Sequence, residues 1–285
     1  MDDDPQTLVS TDWLAARLGD ARLRLLDATW VMPGDPRDAR DLFAQAHVPG
    51  ARFFDIDAIA DHATGLPHMA PGAAVFAAAL RDFGIGPGDQ VVVCDAQGMF
   101  SAPRVWWTFR LMGWRDVAVL DGGMPKWRAE GRALAQGDPG PAMAGPADPA
   151  PDPALIRDRA QVMAALRDGS AQVLDARARD RFAGAAPEPR PGLRSGHMPG
   201  ALNLPFAEVL APDGTLKSPG ELRATFTGAG IDLTRPVITT CGSGITAALL
   251  FLALVRAGAG EVALYDGSWA EWGLPSDFPV VKGAD

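Results

Sequence analysis

The chain has 285 residues, of which 47% are hydrophobic and 21% are charged, and its formal net charge at pH 7 is −9. This length accommodates one or two globular domains, and the acidic balance argues against general nucleic-acid binding, which usually shows a basic surface. The two cysteines match neither the spacing of a metal site nor a disulfide framework, so we expect no bound metal and a reducing compartment.

The N-terminal residues are acidic and lack the apolar stretch of a signal peptide. The longest apolar run, residues 245–255, is too short to cross a bilayer. We therefore expect a cytoplasmic protein that has neither a membrane nor a nucleic acid as its partner.

The chain repeats itself at long range. Four motifs of the first half return in the same order in the second half: 25–29 as 173–177, 47–51 as 197–201, 91–95 as 237–241, and 118–123 as 263–268. Their offsets of 148, 150, 146 and 145 residues are nearly constant. Two copies at this spacing indicate a duplicated domain, because a solenoid needs shorter and more numerous repeats.

Within each copy, short apolar runs of strand type alternate with helical segments such as 73–83 and 221–228. This alternation predicts an α/β fold with a mostly parallel sheet that helices cover on both faces. Residues 137–151 are dense in proline and glycine, which predicts a linker. We thus predict an N-terminal domain over 1–136, without a catalytic cysteine, and a catalytic C-terminal domain over 152–285.

Cys241 stands where the chemistry is expected. An apolar strand-like run ends at this residue, the loop Gly242-Ser243-Gly244 follows, and an apolar helical segment begins near Thr246. Backbone N–H groups should therefore converge on the sulfur at a helix N-terminus, which favours the nucleophilic thiolate. In sheets of parallel strands, functional sites lie at such carboxyl ends.

The first copy carries Asp95 at the position of Cys241, so it lacks a nucleophile. Cys94 stands one residue earlier, and the alternation of side chains along a strand turns it away from the loop. We expect Cys94 to be a small, buried apolar residue.

Three interpretations of Cys241 compete: a buried core cysteine, a phosphatase or arsenate reductase, and a sulfurtransferase. Glycines on both sides of Ser243 free amides towards the sulfur, which disfavours a purely structural role. Phosphatase loops of this kind place an arginine six residues after the cysteine, where this chain has Ala247. No arginine lies between Cys241 and Arg256, so sulfur transfer through a persulfide is favoured.

Several segments are similar to motifs of one known family. They are Cys241-Gly-Ser-Gly-Ile-Thr-Ala, HVPGARFFDID at 47–57, SAPRVWW at 101–107, DGG at 121–123 and HMPGALN at 197–203. Because these motifs span nearly the whole chain, the protein resembles the 3-mercaptopyruvate sulfurtransferases of the tandem-domain rhodanese superfamily. The resemblance implies two tandem rhodanese-like domains, each a mostly parallel sheet flanked by helices, and no metal or organic cofactor.

The same resemblance implies roles for individual side chains. Arg181 and Arg190 match the two arginine motifs of the family and should bind the carboxylate and ketone of the substrate, for which a guanidinium fork is suited. Asp57, His68 and Ser243 are implied as a triad that polarises the substrate or moves a proton. The remaining implied contacts come from the loop and the first helical turn: Gly242, Gly244, Ile245 and Thr246.

We therefore expect an enzyme that takes sulfane sulfur from 3-mercaptopyruvate as a Cys241 persulfide and releases pyruvate. The sulfur would pass to a thiol, a dithiol or cyanide, and the partner could be a thioredoxin-like reductant. Two alternatives stay open. One is thiosulfate as the donor, although relatives that prefer this dianion typically carry arginine and lysine just after the cysteine. The other is a persulfide-carrier module in a sulfur relay.

Overall fold

The computed structural model describes residues 3–140 and 147–283, and these form two compact units. The first unit contains the described residues of 1–61, 70–152 and 212–216, and the second contains those of 62–69, 153–211 and 217–285. Each unit thus includes a short segment from the other half of the sequence. Residues 141–146 of the predicted linker lie outside the described part of the chain, and the predicted domain boundaries stay a prediction.

The first unit is an α/β structure. Its strands are β1 (Leu8–Val9), β2 (Leu23–Asp27), β3 (Ala51–Phe53), β4 (Gln90–Cys94) and β5 (Val117–Leu120). Its helices are α1 (Thr11–Ala15), α2 (Ala39–Gln45), α3 (Ala73–Phe83), α4 (Ala102–Leu111) and α5 (Gly123–Ala129). Within the described residues, the five strands form one parallel sheet in the order β1-β5-β4-β2-β3.

The second unit repeats this architecture. Its strands are β6 (Ile156–Arg157), β7 (Gln172–Asp175), β8 (Leu202–Asn203), β9 (Val237–Thr240) and β10 (Val262–Tyr265). Its helices are α6 (Arg159–Asp168), α7 (Arg179–Phe182), α8 (Pro219–Gly228), α9 (Ile245–Ala257) and α10 (Ser268–Trp272), with 3₁₀ turns at Pro153–Leu155 and Phe206–Val209. The described strands again form a parallel sheet, in the equivalent order β6-β10-β9-β7-β8. The predicted α/β fold and its duplication are confirmed.

The predicted helices and the strand before Cys241 agree closely with the observed elements. Helix α3 covers the predicted residues 73–83, whereas α8 begins at Pro219, two residues before its predicted start. The earlier start follows from a capping box in which the Ser218 hydroxyl accepts the Glu221 N–H and the Glu221 carboxylate accepts the Ser218 N–H. Strand β9 ends at Thr240, so the loop begins at the cysteine itself.

Helix α9 is apolar on all sides, and every residue from Ala247 to Leu254 is buried. A helix of this kind packs inside the core, so its N-terminus is held in a fixed place. Gly244 and Gly258 flank the helix with left-handed backbone at φ of 83° and 88°, which glycine adopts without strain. Within residues 3–140 and 147–283, no helix has the length and hydropathy that crossing a bilayer requires.

Two equivalent histidines anchor the fold. His47 Nδ1 lies 2.8 Å from the Phe43 carbonyl oxygen, and His197 Nδ1 lies 2.9 Å from the Phe182 carbonyl oxygen. Each imidazole also stacks on the same phenylalanine, with ring centroids 4.1 and 3.8 Å apart. Since a carbonyl only accepts, Nδ1 carries the proton in both residues, and both histidines serve packing.

Candidate active site

The predicted nucleophile, Cys241, follows the carboxyl end of β9 and opens the loop into α9. The residue is buried, with 2% of its surface exposed. The Gly244 N–H, immediately before the helix, donates a hydrogen bond to Cys241 Sγ at 3.1 Å. This amide lies at the positive end of the helix dipole, so the arrangement stabilises negative charge on the sulfur.

Ser243 and His68 come together in the second unit, although 175 positions separate them in the sequence. Ser243 Oγ lies 3.0 Å from His68 Nε2, and both residues are buried. Arg190 Nη2 lies 3.3 Å from the same nitrogen. A guanidinium donates and does not accept, so the arrangement suits an Nε2 that acts as an acceptor. The Ser243 hydroxyl is within hydrogen-bond distance of the same nitrogen.

His68 has a left-handed backbone conformation, with φ of 43°. This region is strained for a residue with a side chain, and residues are held there when surrounding contacts dictate it. Such positions cluster at functional sites, and the contact with Ser243 agrees with this pattern.

A buried ion-pair network lies beside the cysteine loop. Arg177, which follows β7, donates from Nε and Nη2 to the Asp175 carboxylate at 2.9 and 2.7 Å and from Nη1 to Glu188 at 2.8 Å. Its guanidinium also lies 4.0 Å from the ring centroid of Trp269. The second oxygen of Glu188 accepts from Arg181 Nη2 at 2.5 Å. Glu188 thereby ties Arg181 to a fully buried arginine.

Arg181 approaches the loop closely. A Cβ atom added to Gly242 would lie 3.0 Å from Arg181 Nη2. The Arg181 Nε–H is buried and has no hydrogen-bond partner within the residues that the structure describes. A buried donor of this kind beside a nucleophile suits an oxygen atom of a ligand. The loop contains no arginine of its own, as the sequence predicts, but α7 supplies one from outside the loop.

The remaining loop positions belong to the same turn. Ile245 and Thr246 are the first two residues of α9, and the Gly242 carbonyl accepts the Ala270 N–H at 2.8 Å. The Gly244 amide is directed at the sulfur. Substrate contacts from these residues stay predictions.

Asp57, the third predicted member of the triad, belongs to the first unit. Its carboxylate accepts a hydrogen bond from the Trp30 indole N–H at 2.9 Å. Its partnership with His68 and Ser243 stays a prediction.

The first unit carries a related loop with Asp95 in the nucleophile position. Asp95 follows β4 and is buried, and its carboxyl accepts the backbone N–H groups of Gln97, Ser101 and Ala102 at 2.8, 2.9 and 2.8 Å. Burial raises its pKa against the opposing effect of these amides. Ser101 immediately precedes α4, so its amide corresponds to that of Gly244 before α9.

The two loops differ in length. Seven positions separate Asp95 from Ala102 at the start of α4, whereas four separate Cys241 from Ile245 at the start of α9, a difference of three. Cys94 is a buried residue of β4, as predicted, and burial raises the pKa of its thiol well above the usual value. The first-unit cysteine is therefore a poor nucleophile.

Asp27, at the end of β2, makes stability depend on pH. Burial raises its pKa from 3.8 to about 6, despite hydrogen bonds from Thr29. The folded state thus holds a proton that the unfolded state releases, and this stabilising contribution, complete below pH 3.8, is lost as pH rises through about 6. We expect an Asp27→Asn variant to gain about 2–3 kcal/mol of unfolding free energy relative to the wild type between about pH 4 and pH 7, measured by urea denaturation.

Asp35→Asn is the control for Asp27→Asn. The Asp35 side chain is 19% exposed, and a hydrogen bond from Arg37 lowers the pKa of its carboxyl to about 2. Above about pH 5 this group is ionised in both the folded and the unfolded state, so the variant should keep a fixed stability difference from the wild type between about pH 5 and pH 7. An equally fixed difference for Asp27→Asn would contradict the proposed burial effect.

Sequence reasoning assigned no role to Arg177 or Glu188. The repeat contains a signal for Arg177, because Asp175-Ala-Arg177 in the second copy corresponds to Asp27-Ala-Thr29 in the first. A buried aspartate followed two residues later by arginine suggests an internal ion pair. Glu188 gave no comparable signal, because its neighbours are proline-rich and irregular.

Comparison with known proteins places this geometry in a family. The Rhodanese-like domain profile matches residues 10–130 and 158–274. The 3-mercaptopyruvate sulfurtransferase of Homo sapiens is 43% identical over 94% of this chain and 92% of its own, and the thiosulfate sulfurtransferase of Bos taurus is 42% identical with the same coverage. The crystal structure of SseA from Escherichia coli, a 3-mercaptopyruvate sulfotransferase by its description, matches with a TM-score of 0.84 and 38% identity, over 93% of this chain and 99% of SseA. The chain belongs to the rhodanese family, as a tandem-domain sulfurtransferase.

Proposed function

We propose that the protein transfers sulfur from 3-mercaptopyruvate to an acceptor through a persulfide on Cys241. The observation that carries this proposal is the hydrogen bond of 3.1 Å from the Gly244 N–H to Cys241 Sγ. A thiolate and a persulfide anion at this position both benefit from the amide and the helix dipole.

In the first step, the Cys241 thiolate attacks the mercapto sulfur of the donor. The carbon–sulfur bond breaks, and its electron pair leaves with the carbon fragment as the enolate of pyruvate. The proton that was on the donor thiol then moves from the new persulfide to the carbon, which yields pyruvate and an anionic persulfide.

In the second step, an acceptor attacks the outer sulfur of the persulfide. The sulfur–sulfur bond breaks and the Cys241 thiolate returns. Cyanide leaves as thiocyanate and a thiol leaves as a persulfide. A dithiol becomes a disulfide and releases hydrosulfide, so a thioredoxin-like reductant is a suitable protein acceptor.

Arg181 and Arg190 are proposed to bind the carboxylate and the ketone of the donor. Supporting this role, Arg181 Nη2 lies near Gly242 and its buried Nε–H has no partner among the described residues. Arg190 lies 3.3 Å from His68 Nε2. Glu188 holds Arg181 in one orientation, which reduces the entropy lost when a substrate is bound.

Ser243 and His68 are proposed to handle the proton of the first step. The Ser243 hydroxyl oxygen lies 3.0 Å from His68 Nε2, and Ser243 is two residues from the nucleophile. Such a pair can polarise the ketone of the donor or carry a proton to the departing carbon. Asp57 is proposed as the acidic member of this set, as the family resemblance implies.

The choice of donor rests on charge. Thiosulfate is a dianion, and the two residues after Cys241, Gly242 and Ser243, carry no positive charge to pair with it. 3-Mercaptopyruvate has a single carboxylate, which one arginine guanidinium can bind through two parallel hydrogen bonds. Relatives named for each donor are similar to this chain at 42–43% identity, so overall similarity does not distinguish them. We also propose a cytoplasmic location, because a reducing compartment keeps the Cys241 thiol free.

The experiment that tests the proposal compares kcat/KM for 3-mercaptopyruvate and thiosulfate, with cyanide as acceptor. We expect a preference for mercaptopyruvate of about tenfold or more. Arg181→Ala and Arg190→Ala should each raise KM for mercaptopyruvate by about tenfold and for thiosulfate by less, because they remove a planar fork that fits a carboxylate.

Arg179→Ala is the matched control, because Arg179 also lies in α7 but its side chain is 63% exposed and pairs with Glu208. It should leave both donors unaffected. A preference for thiosulfate would support the first alternative, and activity with neither donor would support a persulfide carrier. Equal losses on both donors in the arginine variants would remove their proposed role in selectivity.

A further inference from the structure

Ser268 has an unusual backbone conformation for its residue type. It is the first residue of α10, it is fully buried, and its φ is 47°, in the left-handed region. That region is disfavoured for any residue with a Cβ atom. A strained serine next to the candidate active site calls for a physical reason.

The equivalent turn of the first unit has no such strain. There the motif is Asp121-Gly122-Gly123, and Gly123 adopts a similar φ of 54° as glycine readily does. The surrounding backbone bonds correspond: the Met124 N–H donates to the Asp95 carbonyl at 3.1 Å, and the Trp269 N–H donates to the Cys241 carbonyl at 3.0 Å. The turn thus forms without a hydroxyl in one unit, whereas the unit with the nucleophile carries one.

The Ser268 hydroxyl uses its full hydrogen-bonding capacity. It donates to the Tyr265 carbonyl at 2.8 Å, and it accepts from the Cys241 N–H and from Thr240 Oγ1 at 3.3 Å each. One donor and two acceptor positions are all that a hydroxyl has. The side chain therefore joins the end of β10 to the peptide group that precedes the nucleophile.

These bonds hold the Cys241 backbone from both sides. Ser268 Oγ accepts its N–H, and the Trp269 N–H binds its carbonyl. With the backbone fixed, the Cα–Cβ bond has one direction, and a single rotation about it sets the distance between Sγ and the Gly244 amide.

We infer that Ser268 is a positioning residue for the reaction: its hydroxyl orients the Cys241 backbone so that the sulfur meets the Gly244 N–H. The inference rests on the proposed function in taking Cys241 as the nucleophile. It does not depend on which sulfur donor is used.

The test compares Ser268→Gly and Ser268→Ala with the wild type. Glycine removes the hydroxyl and the backbone strain together, whereas alanine removes the hydroxyl and keeps the strain. Two readouts are needed: kcat and KM with mercaptopyruvate, and the pH dependence of the rate at which iodoacetamide alkylates the Cys241 peptide, followed by mass spectrometry.

We expect both variants to lose about tenfold or more in kcat, with KM changed less than about threefold, because the substrate arginines are untouched. Alkylation of Cys241 should slow near neutral pH and its profile should shift to higher pH in both variants, since the sulfur no longer meets the amide. Ser101→Ala, which removes a buried hydroxyl of the first unit that has no hydrogen-bond partner among the described residues, should change neither readout.

Folded variants with unchanged kcat and an unchanged alkylation profile would overturn the inference. So would full activity in Ser268→Gly with low activity in Ser268→Ala, because backbone conformation and not the hydroxyl would then matter. Alkylation requires no sulfur donor, so a failure of the proposed donor chemistry and a failure of the role of Ser268 are distinguishable.

Discussion

Replacement of Cys241 by serine should reduce pyruvate formation from 3-mercaptopyruvate by at least about a thousandfold, to the level of the uncatalysed reaction. A serine hydroxyl is far less acidic than a thiol, so a loop that stabilises a thiolate does not make a comparable nucleophile of it. An alkoxide is also unable to form a persulfide. Pyruvate release under excess donor, followed continuously, measures the loss.

Cys94→Ala is the matched control for Cys241→Ser. Cys94 lies in the first unit, is buried, and has a thiol pKa raised by burial and by the carboxyls of Asp27 and Asp95. Its removal should leave turnover within about twofold of the wild type. Pyruvate formation that survives in Cys241→Ser, or disappears in Cys94→Ala, would place the nucleophile elsewhere.

Replacement of Arg177 by methionine should cost about 3–5 kcal/mol of unfolding free energy, measured by urea denaturation at neutral pH. The guanidinium is fully buried and pairs with both Asp175 and Glu188, whose side chains are 1% and 2% exposed. Methionine fills a similar volume but leaves the Asp175 carboxylate inside the protein without its cation and leaves Glu188 with Arg181 alone. Desolvated charges that lose a partner are strongly destabilising.

Two further variants identify the cause of that loss. Arg179→Met breaks an exposed pair with Glu208 and should cost less than about 1 kcal/mol. The double variant Arg177→Met, Asp175→Asn removes the arginine together with the carboxylate that would lose its cation, keeps the Glu188–Arg181 pair, and should recover most of the stability. A double variant as unstable as Arg177→Met would show that packing and not charge is responsible.

The sequence was sufficient to predict the elements whose pattern is local. The apolar runs of β4 and β9 and the alternation with helices predicted the parallel sheets, and Cys241 after β9 followed from the Gly-Ser-Gly loop. These features depend on neighbours within a few residues, which a single sequence displays directly.

Contacts between distant segments were out of reach for pattern reasoning alone. Ser243 and His68 are 175 positions apart, and the family resemblance, not the spacing, linked them. The ion pairs of Glu188 with Arg177 and Arg181 join an irregular, proline-rich segment to the end of β7 and to α7, and no periodicity predicts which of these side chains meet. The three extra residues of the first-unit loop were also not anticipated, because a nearly constant offset between strands does not fix the length of the connection.

The carboxyl group of Asp95 has a consequence for how much sulfur one molecule can hold. In the first unit, the amides that would stabilise a sulfur anion are already hydrogen-bonded to the Asp95 carboxyl, which is a permanent part of the chain and does not leave as a ligand would. Under the proposed chemistry, each chain stores one labile sulfur atom at a time, on Cys241. Duplication has therefore doubled the scaffold while the stoichiometry of the intermediate stays at one per chain.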